Sequence, residues 1–381
     1  MLEYDIVVIG GGATGLSAAK TAAEHNQRVL LLEMRAAIGW QSHHVLCEKV
    51  PKEFKQSVTS KTRNLKIICS SKNIEIEGKF SVLDYSKLLR SMAVEATKAG
   101  VEIWTSAPVK DLLVDFGRVI GVKAAGGGWV EEIKSKVVID ASGSSGDWSG
   151  LFMKKFASHE WSGENLAFRC EYLMANANCE KAEIHLSSYS APGGFGWIFP
   201  VEEGLASTGV LGLRIHPGTA LDEFIGRVAH PCLKGASPIV SVKTSQPMSG
   251  PLTKLWEKGI LAAGKSAGQI PPLAVNILRY EIECGRLAGD AASLAAAGDS
   301  EALSEYDAKW RKTLGEEIQK YSKLWRGLGT MQDKKVSRFL EIVCKNEDTL
   351  RDFVKILLAE TPHVPLTNIL SNSEISSILT H

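Results

Sequence analysis

No apolar run in the 381 residues reaches the ~18 positions that a membrane-spanning helix needs, so none is expected. An excess of one charge is missing too. Against 44 Lys and Arg stand 43 Asp and Glu, and a formal charge of +1 argues neither for nucleic acid nor for an anionic membrane. Cysteine is sparse: seven residues, at 47, 69, 170, 179, 232, 284 and 344, with no C-x-x-C pair and no His cluster beside them. Neither structural zinc nor disulfides are expected, no metal ligands are assigned, and a reduced, cytoplasmic compartment is the default. A strand-like run from Tyr4 to Ile9 leaves no room for a signal peptide. The remaining composition, 44% hydrophobic and 23% charged, is that of a globular protein, and the length suggests two or three lobes.

The first forty residues carry the firmest chemistry. Asp5-Ile6-Val7-Val8-Ile9 is a short β-branched run, read as a buried parallel strand. Gly10, Gly12, Ala13, Thr14 and Gly15 form a G-x-G-x-x-G turn, Leu16 to His25 reads as a helix, and Gln27 to Glu33 as a second strand. Gly10 permits the tight turn, Gly12 lets backbone approach a pyrophosphate, and Gly15 lets the helix lie close to the sheet. The helix N-terminus offers free N–H groups to phosphate, and Glu33 can accept from a ribose diol. An acid at that position favours an unphosphorylated ribose, hence FAD or NAD over NADP. The glycines, Ala13, Thr14, Glu33, Met34 and Arg35 are therefore the candidates for the adenosine end of a dinucleotide.

Lys136 to Gly143 is another strand, ending in Asp140-Ala141-Ser142-Gly143. Asp84 to Lys98 has amphipathic helical spacing, and residues 119–130 read as a hairpin with a glycine turn. From 151 to 250 strand-like stretches recur, at 166–173, 183–186, 196–199, 206–213 and 239–243, suggesting an antiparallel sheet. Phe195, Trp197 and Phe199 alternate with period two and so share one strand face. Such a row is most often core packing; its functional reading is an apolar wall for an elongated ligand. Leu303, Tyr306, Trp310, Leu314, Ile318, Tyr321, Leu324 and Leu328 predict one amphipathic helix, with two more beyond it. The basic residues on that first helix read as a solvated face, with loose contact to a lipid membrane as the rival.

The segment Asp140 to Gly143 is similar to one in flavoproteins of the para-hydroxybenzoate hydroxylase type, where it closes over the nucleotide. Pro192, Trp197, Phe199 and Pro200, with Phe195 in a Tyr position, resemble the P-x-x-Y-x-W-x-F-P signature of the geranylgeranyl reductase family. Thr208 and Gly209 stand where that family has V-G, and Leu211 where it has its next Gly. Glu33-Met34-Arg35 with Ile38-Gly39, Cys47-Glu48, and Tyr306, Trp310, Arg311 and Gly315 resemble further family segments, so the likeness spans nearly the whole chain. The resemblance implies an α/β fold like para-hydroxybenzoate hydroxylase: a Rossmann-type FAD-binding domain (1–150 plus 252–300), a β-sheet substrate domain (151–251) and a C-terminal helical region (301–381). It further implies FAD as cofactor and reduction of isolated C=C bonds in a geranylgeranyl lipid, with hydride from the reduced flavin. An external donor (NADPH, ferredoxin or a deazaflavin) is required, since only one dinucleotide fingerprint is present.

The third flavin segment departs from the family. Gly264-Lys265-Ser266-Ala267-Gly268 has Lys265 where the family has a ribitol-binding Asp, and Lys cannot accept a hydrogen bond. In Pro272-Leu273-Ala274-Val275-Asn276-Ile277, Val275 and Ile277 replace glycines. The implied flavin-end residues are Gly264, Lys265, Asn276 and Ile277, with Asp140, Ala141 and Gly143 over the nucleotide. Cys47 is the candidate catalytic position beside the ring, Phe195, Trp197 and Phe199 the candidate substrate wall, and His43 and His44 are read as ordinary loop residues. A flavin monooxygenase or halogenase on the same fold, and a non-catalytic isoprenoid-binding paralogue, are the alternatives.

Overall fold

The computed structural model describes residues 2–40, 43–69, 72–144, 149–157, 165–186, 191, 193–213, 215–228, 230–272, 274–329, 333–360 and 363–380. Pro192 and Leu273 of the motifs above lie outside the described residues. Along the chain, β1 (Leu2–Ile9) leads through α1 (Ala13–Glu24) to β2 (Val29–Leu32). Then come β3 (His44–Cys47), β4 (Val58–Cys69), β5 (Lys72–Asp84), α2 (Tyr85–Lys98) and β6 (Glu102–Trp104). After β7 (Val109–Asp115), β8 (Arg118–Gly126) and β9 (Trp129–Asp140), the middle supplies β10 (Leu166–Ala175), β11 (Ala182–His185), β12 (Gly194–Glu202) and β13 (Leu205–Gly212). α3 (Ala220–Val228), β14 (Ser237–Pro247), β15 (Trp256–Glu257), β16 (Ile260–Ala262) and α4 (Leu278–Ala296) follow. The chain continues with α5 (Ala302–Trp310), α6 (Glu316–Gly329), α7 (Asp333–Val343), α8 (Glu347–Leu357), α9 (His363–Ser371) and α10 (Ser373–Thr380).

Two sheets organise these elements. The first has the order β15-β16-β9-β1-β2-β6, with the β7–β8 hairpin attached through β9. Its centre is parallel: Val8 pairs with Leu31 on β2 and with Ile139 on β9. Ile6, Val7 and Val8 are all fully buried, so both faces of β1 are covered, as its unbroken apolar run implies. Helix α2 starts at Asp84, whose carboxylate accepts the Ser86 and Lys87 N–H groups, a side-chain cap typical of Asp. The second sheet has the order β14-β10-β13-β12-β11-β4-β5-β3 and is antiparallel apart from the β11–β4 pair. Three of its strands, β3 to β5, come from within residues 1–150, so the expected boundary at 150 does not separate the two sheets.

Two sequence expectations need correction. Cys179 and Cys232 form a disulfide across a separation of 53 residues, where none was expected. The loop after β10 and the turn before β14 meet, with the Asn178 N–H donating to the Cys232 carbonyl at 3.0 Å, and no local spacing announces such a contact. The reduced compartment inferred from cysteine usage loses its support with it. The long C-terminal helix is also not a single α-helix: α5 and α6 are joined by a π-turn over Arg311–Gly315. Among the described residues, no helix is long and apolar enough to cross a membrane.

Candidate active site

The candidate nucleotide cradle follows from two close approaches and one open position. Gly10 has φ +104°, and a Cβ there would lie 2.5 Å from the Ala141 carbonyl oxygen. A Cβ on Gly15 would lie 1.9 Å from the carbonyl oxygen of Gly10, so the α1 turn can sit on the strand end only with hydrogen at that position. Gly12, the N-cap of α1, has no side-chain cap, and a Cβ there would point into open space. The uncapped N-terminus of α1, with Ala13 and Thr14 behind Gly12, therefore leaves room for a diphosphate. Glu33 is anchored at the end of β2: its carboxylate accepts the Gly11 and Arg35 N–H groups, each at 2.7 Å. Each oxygen keeps a further lone pair for a ribose hydroxyl. Met34 and Arg35 continue from it at the surface side. These residues fit the adenosine diphosphate half of FAD.

Asp140 lies beneath this cradle with no exposure. Its carboxylate accepts from the Ser142 N–H at 3.1 Å, the Ser142 hydroxyl at 2.5 Å and the Phe152 N–H at 2.8 Å. Burial pushes its pKa up, against those donors. The side chain thus fixes the Ala141–Gly143 turn, and Gly143 completes that turn at φ +81°.

The segment from Gly264 to Gly268, the candidate flavin end, is held by the C-terminal helices. The Gly264 N–H donates to the Gln269 side-chain oxygen at 2.8 Å, and the Gln269 amide donates to the Tyr306 hydroxyl at 3.0 Å. Trp310 donates to the Cys284 sulfur at 3.2 Å, and Arg311 to the Thr253 carbonyl at 2.9 Å. The Tyr306, Trp310 and Arg311 motif is thereby a brace for the third flavin segment. Lys265 does not stand free: its ammonium lies 3.5 Å from Glu281, whose other oxygen accepts the Tyr85 hydroxyl. Lys265, Glu281 and Tyr85 line one narrow cavity with His43, Arg169 and Val275. The backbone at Val275, which also lines this cavity, is tied to the end of α8 by its N–H, which donates to the Leu357 carbonyl at 2.7 Å.

Asn276 connects this segment to Cys47. Its amide nitrogen donates to the Cys47 sulfur at 3.0 Å, and its oxygen accepts the Leu278 N–H at 3.0 Å, fixing the start of α4 beyond Ile277. Burial pushes the Cys47 thiol far above its ordinary range, with the Glu360 charge adding to it. Cys47 is a neutral thiol at physiological pH, not a thiolate nucleophile.

The sequence did not reveal the buried ion cluster behind this cavity. His44, read as a loop residue, lies in β3 with 2% exposure, and both its N–H and its Nδ1 meet Glu171, at 2.8 and 3.1 Å. Arg169 donates to Glu171 at 2.8 Å and to the His44 carbonyl at 2.9 Å. Burial opposes ionisation of Glu171, but the Arg169 guanidinium and the hydrogen bonds from His44 outweigh it and hold the carboxyl at about 2. His43, also read as a loop residue, stacks on Tyr85 with ring centroids 4.1 Å apart. Burial, with Arg169 nearby, lowers its pKa well below the usual histidine value, so it is neutral. The legible signal for the cluster was Arg169 and Glu171 at i, i+2, two charges on one face of an apolar strand.

That cluster fixes the aromatic row. The Arg169 guanidinium lies 4.4 Å from the Trp197 ring centre. The indole N–H donates to Ser207 at 3.1 Å, and Ser207 donates to Glu171 at 2.8 Å. A Cβ on Gly209 would lie 2.0 Å from the Trp197 ring, so Gly209 and Trp197 form one packing unit across β12 and β13. Phe195, Trp197 and Phe199 are all solvent-free, with centroids 6.1 and 6.2 Å apart along the row. The core-packing reading holds for these rings in this state.

Glu360 clamps the strand end after Cys47, accepting the Glu48 N–H at 2.7 Å and the Lys49 N–H at 3.0 Å. Burial raises its pKa from 4.5 to about 7 despite those donors. Between these two values the folded chain holds a proton that the unfolded chain releases, so its contribution to stability falls as pH rises through that window. Glu360→Gln keeps an acceptor for both amides and removes the charge. Its melting temperature is expected to match the parent below pH 4.5 and to exceed it above about 7. Thermal melts across that range check this, and a constant offset would remove the titration.

Residues 5–147 match the family model described as FAD dependent oxidoreductase. A digeranylgeranylglycerophospholipid reductase of Methanocaldococcus jannaschii is 30% identical over 390 aligned positions, covering 94% of this chain and 96% of that protein. The chain belongs to the geranylgeranyl reductase family. The digeranylgeranylglycerophospholipid reductase of Methanosarcina mazei is 31% identical over 83% of this chain and 82% of its own length. Among solved structures, a geranylgeranyl bacteriochlorophyll reductase-like protein of Thermoplasma acidophilum superposes with a TM-score of 0.85 at 20% identity, covering 100% of this chain and 98% of that one. A flavin-dependent brominase reaches 0.74 at 16% identity, covering 98% and 100%, a likeness of fold alone. This member of the geranylgeranyl reductase family is an FAD-dependent oxidoreductase.

Proposed function

We infer that this enzyme saturates C=C bonds in the geranylgeranyl chains of a glycerophospholipid. The observation that carries this reading is the full-length identity to reductases named for that lipid. The cradle of Gly10, Gly12, Gly15 and Glu33 holds the adenosine half of FAD, and the segment from Gly264 to Ile277 holds the flavin half. Reduced FAD, when bound, supplies the hydride, and a proton completes the alkane. Phe195, Trp197 and Phe199 pack in the core behind the site, and Cys47 stands where the prenyl chain passes the ring. A neutral thiol suits that place, because an apolar alkene gains nothing from a charge. Lys265 and Glu281 neutralise each other beside the flavin, in place of the single acid usual in the family. Electrons come from an external donor, and contact with the lipid surface is peripheral.

The test is product analysis. FAD-loaded enzyme, a chemical reductant and digeranylgeranylglyceryl phosphate are incubated without oxygen, and the lipid mass is read. Stepwise gain of hydrogen in the prenyl chains is expected; an unchanged lipid with flavin fully reduced would overturn the reading.

A further inference from the structure

A groove of about 750 Å³ opens one residue beyond Cys47, between the strand end at Glu48 and the β4–β5 hairpin. Ser81 ties the two places together, because on β5 it pairs with Cys47 of β3 on one side and with Lys61 of β4 on the other. Val50, Val58 and Phe80 give the groove an apolar lining. Lys55, Lys61, Arg63 and Lys79 give it positive charge, and Glu48 is the one acid among its lining residues.

These cations differ from their neighbours in having no partner. Farther along the same hairpin, Lys66 lies 3.5 Å from Glu183, and Glu75 receives Lys181 at 2.7 Å. None of the four groove cations makes a side-chain ion pair or hydrogen bond among the described residues. In a chain of formal charge +1, four such cations around one groove are a local excess, and apolar walls strengthen their field. Lys and Arg together suit the oxygens of a phosphate, while the apolar lining suits the first carbons of an attached hydrocarbon.

We propose that this groove binds the phosphate-bearing headgroup of the prenyl lipid, with the hydrocarbon entering past Cys47. The proposal rests on the lipid-reductase reading and adds to it a headgroup site and a preference for an anionic over a neutral substrate. Lys61 and Arg63, on alternate positions of β4, are the main contacts, and Lys55 and Lys79 extend the field.

Binding to oxidised, FAD-loaded protein tests this without turnover. Two probes share one hydrocarbon: digeranylgeranylglyceryl phosphate and digeranylgeranylglycerol, each in neutral detergent micelles. The Lys61→Gln/Arg63→Gln variant is expected to weaken the phosphate lipid by about tenfold or more and to change the neutral lipid by less than about twofold. Glycerol phosphate should compete with the phosphate lipid on the parent protein. Should those substitutions impair folding, Lys55→Gln/Lys79→Gln is expected to give the same split with a smaller loss. Equal weakening of both lipids, or of neither, overturns the proposal. So does loss of sedimentation with phosphatidylglycerol vesicles while affinity for the prenyl phosphate stays unchanged, which would assign the cations to a membrane surface. A protein that shows the split but never reduces the lipid would leave the groove standing and overturn the reductase reading instead.

Discussion

Gly12→Val is expected to leave the apoprotein folded, with its melting temperature near that of the parent, and to lower FAD affinity by about a hundredfold or more. The reason is where the new side chain goes. A Cβ on Gly12 meets no protein atom within 4 Å, so the fold has nothing to resist it. It fills the space into which the α1 N-terminus points, and a diphosphate pushed out of that space loses charge-assisted hydrogen bonds of about 1.5–3 kcal/mol each. Gly15→Ala should behave in the opposite way. Its methyl group would lie 1.9 Å from the Gly10 carbonyl oxygen, which is backbone and cannot turn aside. Overpacking of this kind costs about 1–3 kcal/mol or more, and the loss should be visible without FAD. Melting curves of both apoproteins beside fluorescence titrations with FAD separate the two roles. A Gly12→Val protein that still binds FAD tightly would move the diphosphate elsewhere.

The second large effect lies at Glu171. Glu171→Ala leaves Arg169 buried without its carboxylate and removes the acceptor for both His44 and Ser207. Breaking a buried pair by deleting one partner costs about 3–5 kcal/mol, because the remaining charge is uncompensated. At roughly 2.1 cal/mol/K of unfolding entropy per residue, that is a fall of about 5 °C in Tm. The pH dependence carries the sign. A carboxyl lowered from 4.5 to about 2 stabilises the fold fully above the upper value and loses that contribution as pH falls through the window. The parent should therefore lose stability across that range more steeply than Glu171→Gln. Parallel acid-melting curves would contradict the assignment. Trp197 offers a second readout, since its indole is fixed by Arg169 and, through Ser207, by Glu171; its fluorescence should shift in the variant.

What could be read from the sequence was what is local. The strand-glycine-helix order from Asp5 to Glu33 announces its own geometry, and β1, α1 and β2 lie where that order puts them. The hairpin before Asp140 and the strands of the middle region were legible from alternation and glycine turns. Contacts between distant residues were not. His44 and Glu171 are separated by 127 positions, and a lone histidine next to another gives no sign that a β10 carboxylate waits for it. Cys179 and Cys232 gave no spacing signal, and β3 to β5 crossed to the second sheet because β4 pairs in parallel with β11 across a gap of over a hundred residues. Lys265 looked like a lost acid; Glu281, sixteen positions on, restores a carboxylate to the same cavity. The aromatic row was visible as a row, while its dependence on Arg169, Gly209 and Ser207 was not.

One measurement bears most directly on the account as a whole. The bound flavin is reduced with light in the absence of oxygen, digeranylgeranylglyceryl phosphate is added, and the visible flavin band is followed. The expected result is return of the oxidised band under argon, with hydride and proton appearing in the prenyl chain. A band that stays bleached under argon and returns only on admitting oxygen, with the lipid unchanged, would contradict it.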